Sequence, residues 1–171
     1  MNFTGMLKEN SLKDKTILIT GGGTGLGKSM GKYFMELGAN LIITSRKEEI
    51  LDQTANEFSV YDGDILPLTG DVRNSSDVKE VIKTSLSKFG KIDILLNNAA
   101  GNFISPTERL TTKAFDVIVD IVLKGTYNYS LLIGKHWIEN KQQGVILNIV
   151  TTYAWTGSGF VAPSAAAKGG V

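Results

Sequence analysis

The sequence has no cysteine, which excludes disulfides, thiolate metal sites and cysteine nucleophiles and leaves the redox compartment open. It has one histidine, His136. With no second histidine to share a metal or relay a proton, His136 reads as an ordinary residue of a helix face, and no metal site is expected. An excess of one charge is missing too: 18 Lys and Arg stand against 17 Asp and Glu, a formal net charge of +1. A protein that binds a phosphate backbone normally carries a basic surplus or stripe, whereas the basic residues here are scattered. Nucleic acid is therefore not the expected partner. No run approaches a membrane span, so no membrane partner is expected. The opening MNFTGMLKENSLKDK has neither the apolar core of a signal peptide nor the Arg-rich, acid-poor character of a transit peptide. A soluble cytoplasmic protein is the expectation, with residues 1–14 as an extension that drapes over the edge of the fold or stays loose.

What is present is 171 residues, 42% of them hydrophobic, enough for one domain with a real core. The most informative stretch is TILITGGGTGLGK, Thr16 to Lys28. A short β-branched apolar run stops at Gly21, Gly22 and Gly23, and a helical pattern begins only after Gly25 and Gly27. Strand, glycine loop and helix in that order suit a diphosphate: glycines let the backbone come close, and the free N–H groups and positive end of the helix favour an anion. The expected ligand is a dinucleotide. The spacing Gly21-x3-Gly25-x-Gly27 departs from the G-x-G-x-x-G fingerprint, and Lys28-Ser29 does not stand where an ATP-type loop requires it. Glycines also collect in ordinary turns, and that bland alternative is outweighed here by the strand before and the helix after.

Leu26, Met30, Tyr33, Phe34 and Leu37 continue at helical spacing up to Gly38, a residue suited to ending a helix. Leu41–Thr44 reads as a second strand, followed by Arg46 and Lys47. At the end of this strand an acidic residue selects a free ribose 2′-hydroxyl and a basic one accommodates a 2′-phosphate, so the pair favours NADP over NAD. The alternative is that Arg46 and Lys47 merely open a solvated helix over 47–59. Ile65–Thr69 is a third strand interrupted by Pro67. Asn74, Ser75 and Ser76 offer caps for a helix that Gly90 ends. Ile92–Leu96 is a fourth strand running into Asn97–Phe103, small and amide residues suited to a ligand crevice. A long helix over 113–140 offers Phe115, Ile118, Ile121, Val122, Tyr129, Leu132 and Trp137 for burial, with Gly125 explained by close packing. Val145–Val150 is a fifth strand, and a last helix opens at Pro163.

Alternating strands and helices predict an α/β fold, a Rossmann-type doubly wound parallel sheet over 15–171. A helix that starts at 163 has too little chain left to complete another crossover, so the sheet is expected to break off after the fifth strand.

Four motifs together resemble the short-chain dehydrogenases/reductases: TGGGTGLG at 20–27, GDV at 70–72, NNAAG at 97–101 and Ser164-x3-Lys168. Within that family, NNAAGNFISPTERL (97–110) and TTYAWTGSGFVAPSAAAK (151–168) are similar to the mitochondrial-type 2,4-dienoyl-CoA reductases. The likeness runs from about Ser11 to the end. The wider family's Tyr-x3-Lys pair is replaced here by Ser164-x3-Lys168. In the subgroup the tyrosine comes instead from just after the fifth strand, where Tyr153 stands.

The resemblance implies NADPH as cofactor, with Gly21, Gly22, Gly23, Thr24, Gly25, Leu26 and Gly27 on its pyrophosphate. It places Arg46 on the 2′-phosphate, Asp71 beside the adenine and Lys168 on the nicotinamide ribose. It further implies that Asn102 and Tyr153 hydrogen-bond a thioester oxygen with help from Ser164. Arg73, Phe103 and Thr111 would contact an acyl-CoA. The implied activity is NADPH-dependent reduction of 2,4-dienoyl-CoA to an enoyl-CoA in unsaturated fatty acid β-oxidation, by a homo-oligomer at full length. Taken singly, Asn102 also reads as a cap of the strand–loop junction, Tyr153 as a buried aromatic and Lys168 as a solvated helix lysine. The competing functions are another reductase of the family, acting on a carbonyl or enoyl substrate, and an inactive truncated nucleotide-binding fragment.

Overall fold

The computed structural model describes residues 7–171. Five strands alternate with helices: β1 (Thr16–Thr20), α1 (Gly25–Glu36), β2 (Asn40–Ser45), α2 (Glu48–Phe58), β3 (Ile65–Thr69), α3 (Ser75–Phe89) and β4 (Ile94–Asn97) come first. Then follow α4 (Thr112–Val119), α5 (Gly125–Glu139), β5 (Val145–Asn148), α6 (Tyr153–Thr156) and α7 (Ala162–Gly170). All strands are parallel, in the order β3-β2-β1-β4-β5.

Strand periodicity divides the apolar residues between two faces of this sheet. Ile17, Ile19, Leu41, Ile43 and Leu96 pack with Met35, Leu51 and Phe58 of α1 and α2. Leu18, Ile42 and Leu95 face the other way and pack with Val78, Val81, Tyr129 and Trp137 of α3 and α5. Cover on both faces is why the central strands read as continuous apolar runs. Because the chain runs outward from β1 to β3 and then returns to the other side of β1 at β4, the strand order reverses between β1 and β4. In open α/β sheets a ligand crevice lies at the carboxyl ends of the strands at such a point.

Several boundaries differ from the expectations for physical reasons. The first helix begins at Gly25, inside the glycine cluster. The fourth strand begins at Ile94, while fully buried Ile92 lies outside it, its carbonyl accepting from Trp137 Nε1 at 2.7 Å and Gln142 Nε2 at 3.1 Å. Pro67 is accommodated because β3 is an edge strand, paired among the described residues only with β2. The fifth strand ends at Asn148, and a short helix, α6, follows it that the sequence did not signal. The long helix is real but is broken by a π turn over Asp120–Lys124. Immediately after that turn a Cβ on Gly125 would stand 2.6 Å from Val72 Cγ2, so close packing does account for this glycine. Phe115, expected inside, is exposed.

By length and composition alone Thr112–Glu139 qualifies as a membrane span, contrary to the sequence expectation. Its Ile118, Val122, Tyr129, Ile133 and Trp137 side chains are buried within the domain. Residues 1–6 of the extension lie outside the described residues. The remainder folds under the end of α1: Leu12 N–H donates to Leu37 O at 3.0 Å, and the Leu12 side chain packs on the core below the sheet.

Candidate active site

The glycine loop is held at its base by β2 and β4. Gly21 N–H donates to Thr44 O at 2.8 Å. Thr20 Oγ1 accepts from the N–H groups of Asn98 and Ala99, both at 3.0 Å, and the Asn98 side-chain amide donates to Thr20 O and Gly21 O at 3.0 and 3.2 Å. Gly21 takes a φ of 67°, the left-handed region that glycine enters without penalty. At Gly27 a Cβ would collide with the Gly21 carbonyl and stand 2.6 Å from Asn98 Nδ2, so the loop closes only on glycine. Thr24 is the N-cap of α1 and makes no side-chain cap bond. The first N–H groups of a helix lack intrahelical partners, and Thr24 at the start of α1 lines the crevice.

A cleft of about 300 Å³ lies over these ends, lined by Gly21, Gly23, Thr24, Arg46, Asp71 and Ala99 among others. At one corner Arg46 and Lys47 follow β2 directly. At the next, Arg73 Nε donates to both carboxylate oxygens of Asp71 at 2.9 and 3.0 Å, and the Arg73 N–H adds a bond of 3.0 Å. These bonds hold the Asp71 carboxyl below its ordinary pKa. A tight glycine cradle, unpartnered helix N–H groups and a basic corner fit the diphosphate and adenosine portions of a dinucleotide. Fold and loop together define a Rossmann-type α/β domain.

Tyr153, Ser164 and Lys168 converge beyond the end of β5. The hydroxyls of Tyr153 and Ser164 lie 3.1 Å apart. Ser164 is 2% exposed and Lys168 6%, and the Lys168 ammonium donates to the carbonyl of Ile149. Burial pushes the Lys168 pKa down from the ordinary lysine value. Lys168 is therefore no solvated helix lysine, and Tyr153 is tied to the Ser-x3-Lys segment. The other expected site residues are not drawn into this group. Asn102 and Phe103 are exposed on the loop after β4. Thr111 caps α4, its hydroxyl accepting from Ala114 N–H at 3.1 Å. Arg73 stands at the Asp71 corner of the cleft.

Sequence reasoning missed Thr20 as a ligand of the loop's supporting amides and Thr54 beneath the loop. Thr20 carries a signal as the polar end of an apolar strand. Thr54 carries a fainter one, a polar residue on the apolar stripe that Leu51 and Phe58 mark.

Residues 15–171 match the short chain dehydrogenase family, and the chain belongs to it. It is 44% identical over 160 residues to a probable 2,4-dienoyl-CoA reductase [(2E)-enoyl-CoA-producing] of Bacillus subtilis, covering 94% of this chain and 63% of the relative. A crystal structure of a short chain dehydrogenase from Bacillus anthracis superposes with a TM-score of 0.90 at 46% identity, covering 93% of this chain and 64% of that one. A 3-ketoacyl-(acyl-carrier-protein) reductase from Brucella melitensis, complexed with NADH, gives a TM-score of 0.85 at 35% identity over 93% of this chain and 66% of that one. The chain thus spans less than two thirds of the length of each of these relatives.

Proposed function

We propose that this chain carries the catalytic residues of an NADPH-dependent 2,4-dienoyl-CoA reductase that acts in the β-oxidation of unsaturated fatty acids. One observation carries the reading: the wider family's tyrosine position is Ser164, and the tyrosine hydroxyl comes from Tyr153, 3.1 Å from Ser164 Oγ. NADPH, when bound there, would supply a hydride. Its delivery to the far end of a conjugated dienoyl thioester moves charge through the diene onto the thioester oxygen, so the chain must aim donors at that oxygen. The Tyr153 hydroxyl, beside Ser164 Oγ, is one donor, and Asn102, exposed on the loop after β4, is the second. Lys168, anchored on Ile149, holds the nicotinamide ribose. Arg46 accepts the 2′-phosphate, with Asp71 beside the adenine. Arg73, Phe103 and Thr111 contact the acyl-CoA.

The likeness to a ketoacyl reductase keeps a carbonyl substrate as the second reading, and Ser164 in place of tyrosine weighs against it. The deciding experiment follows NADPH oxidation by the purified protein, in this chain and in any longer natural form, with a 2,4-dienoyl-CoA or a ketoacyl thioester and an NADH control. Turnover is expected with the dienoyl-CoA and NADPH. Tyr153→Phe should lower it about 10²–10³-fold, the usual cost of losing one donor to a developing oxyanion. Arg46→Ala should remove the preference for NADPH. Turnover on the ketoacyl thioester alone would transfer the assignment to the carbonyl reading.

A further inference from the structure

Helix α2 reaches the glycine loop from below at a single buried hydroxyl. Thr54 is 1% exposed, and its Oγ1 donates to the carbonyl oxygen of Gly23 at 2.9 Å. That oxygen belongs to the Gly23–Thr24 peptide. Because the peptide is planar and trans, fixing its oxygen towards α2 directs the Thr24 N–H away from α2. Among the described residues the N–H groups of Thr24, Gly25 and Leu26 have no backbone acceptor, so they are the donors an anion at the start of α1 would use. The loop also lies closely on α2, where a Cβ on Gly23 would stand 3.1 Å from Ile50 Cγ2. Farther out, an ion pair between Lys28 and Glu57 at 2.6 Å joins α1 to α2.

The same helix begins directly after Arg46 and Lys47, which line the cleft. One rigid element therefore carries the basic corner at its start and the tether to the loop in its second turn. We propose that Thr54 is a positioning residue for the diphosphate cradle: its bond to Gly23 holds the Gly23–Thr24 peptide so that the N–H groups opening α1 face the dinucleotide. The proposal rests on the reading of the cleft as a dinucleotide site. Thr54 touches no ligand itself. Its hydroxyl keeps the loop peptide from rotating, and without it the Gly23 carbonyl is buried and unpaired.

The test compares Thr54→Val, which keeps the branched shape and removes the hydroxyl, with Thr54→Ser, which keeps the hydroxyl. Two ligands are titrated against each folded protein: NADPH, and adenosine 2′-monophosphate, which has no diphosphate but reaches the basic corner. Thr54→Val should weaken NADPH binding roughly tenfold, the effect of one buried hydrogen bond. It should leave adenosine 2′-monophosphate binding unchanged, and Thr54→Ser should recover NADPH affinity. Thr54→Ala serves the same comparison if the valine variant does not fold. NADPH binding unaltered by loss of the hydroxyl overturns the proposal, as does an equal loss of both ligands, which a purely structural threonine would produce. A native protein that binds neither ligand refutes the dinucleotide site itself.

Discussion

Lys168 shows how burial alone changes the chemistry of one group. Taking its ammonium out of water disfavours the charged form, so the folded protein releases this proton at a lower pH than the ordinary 10.5. Between the lowered value and 10.5 the unfolded chain binds more protons at this site than the folded one, so the site's contribution to stability rises with pH across that window. Lys168→Met removes the group. Denaturant midpoints measured from neutral to alkaline pH should therefore show the native protein gaining stability relative to the variant as pH rises; parallel curves would contradict the burial argument. Among single residues, those whose role is local were legible in the sequence. Asn74 caps α3 with its side chain accepting from Ser76 N–H at 3.1 Å, and Gly90 ends it with a φ of 72°. The Arg73–Asp71 pair was not legible, although only one residue separates them, because spacing does not say whether an arginine turns back on its neighbour or out towards a ligand.

At the scale of elements, the crossing of the long helix over the loop after β3 depends on Gly125. An alanine there would gain about 1 kcal/mol in helix propensity but would drive a methyl into Val72, 2.6 Å from its Cγ2. Overpacking of this kind costs about 1–3 kcal/mol, so Gly125→Ala should be destabilising on balance. Val72→Ala makes room for the methyl, and the double variant should be more stable than the sum of the single effects allows. Urea unfolding of the four proteins measures this coupling, and simple additivity would exclude the contact as the reason for the glycine. Helical spacing marked the extent of this helix to within one residue at each end. It could not mark the π turn over Asp120–Lys124, because one wider turn leaves the apolar stripe almost unchanged in a linear reading. Helix α6 was equally hidden, since a single turn has too few residues to show a period.

At the scale of the whole molecule, the two edges of the sheet differ. β3 carries Pro67, which cannot donate a ladder hydrogen bond. β5 has no such guard: Val145, Ile146 and Leu147 are 57%, 39% and 48% exposed, and among the described residues β4 is its only partner strand. An apolar unpaired edge is a template for association. Sedimentation velocity of this 171-residue chain should show concentration-dependent self-association that Val145→Lys reduces; a monomer at every concentration would remove this role from the edge. The sequence by itself determined the class of the molecule. Period-2 and period-3.6 apolar patterns, the glycine cluster and the helix caps are local features, each carried by neighbouring residues, and together they specify a parallel α/β sheet with a glycine loop at one strand end. Only the tertiary structure decided which side chains meet across long stretches of chain. The burial of Lys168 on the Ile149 carbonyl, the contact between Tyr153 and Ser164, the Asn98 amide on Gly21 and the Thr54 hydroxyl on Gly23 arise where separate elements pack together, and the direction of a side chain across a packed interface is set by the fold around it.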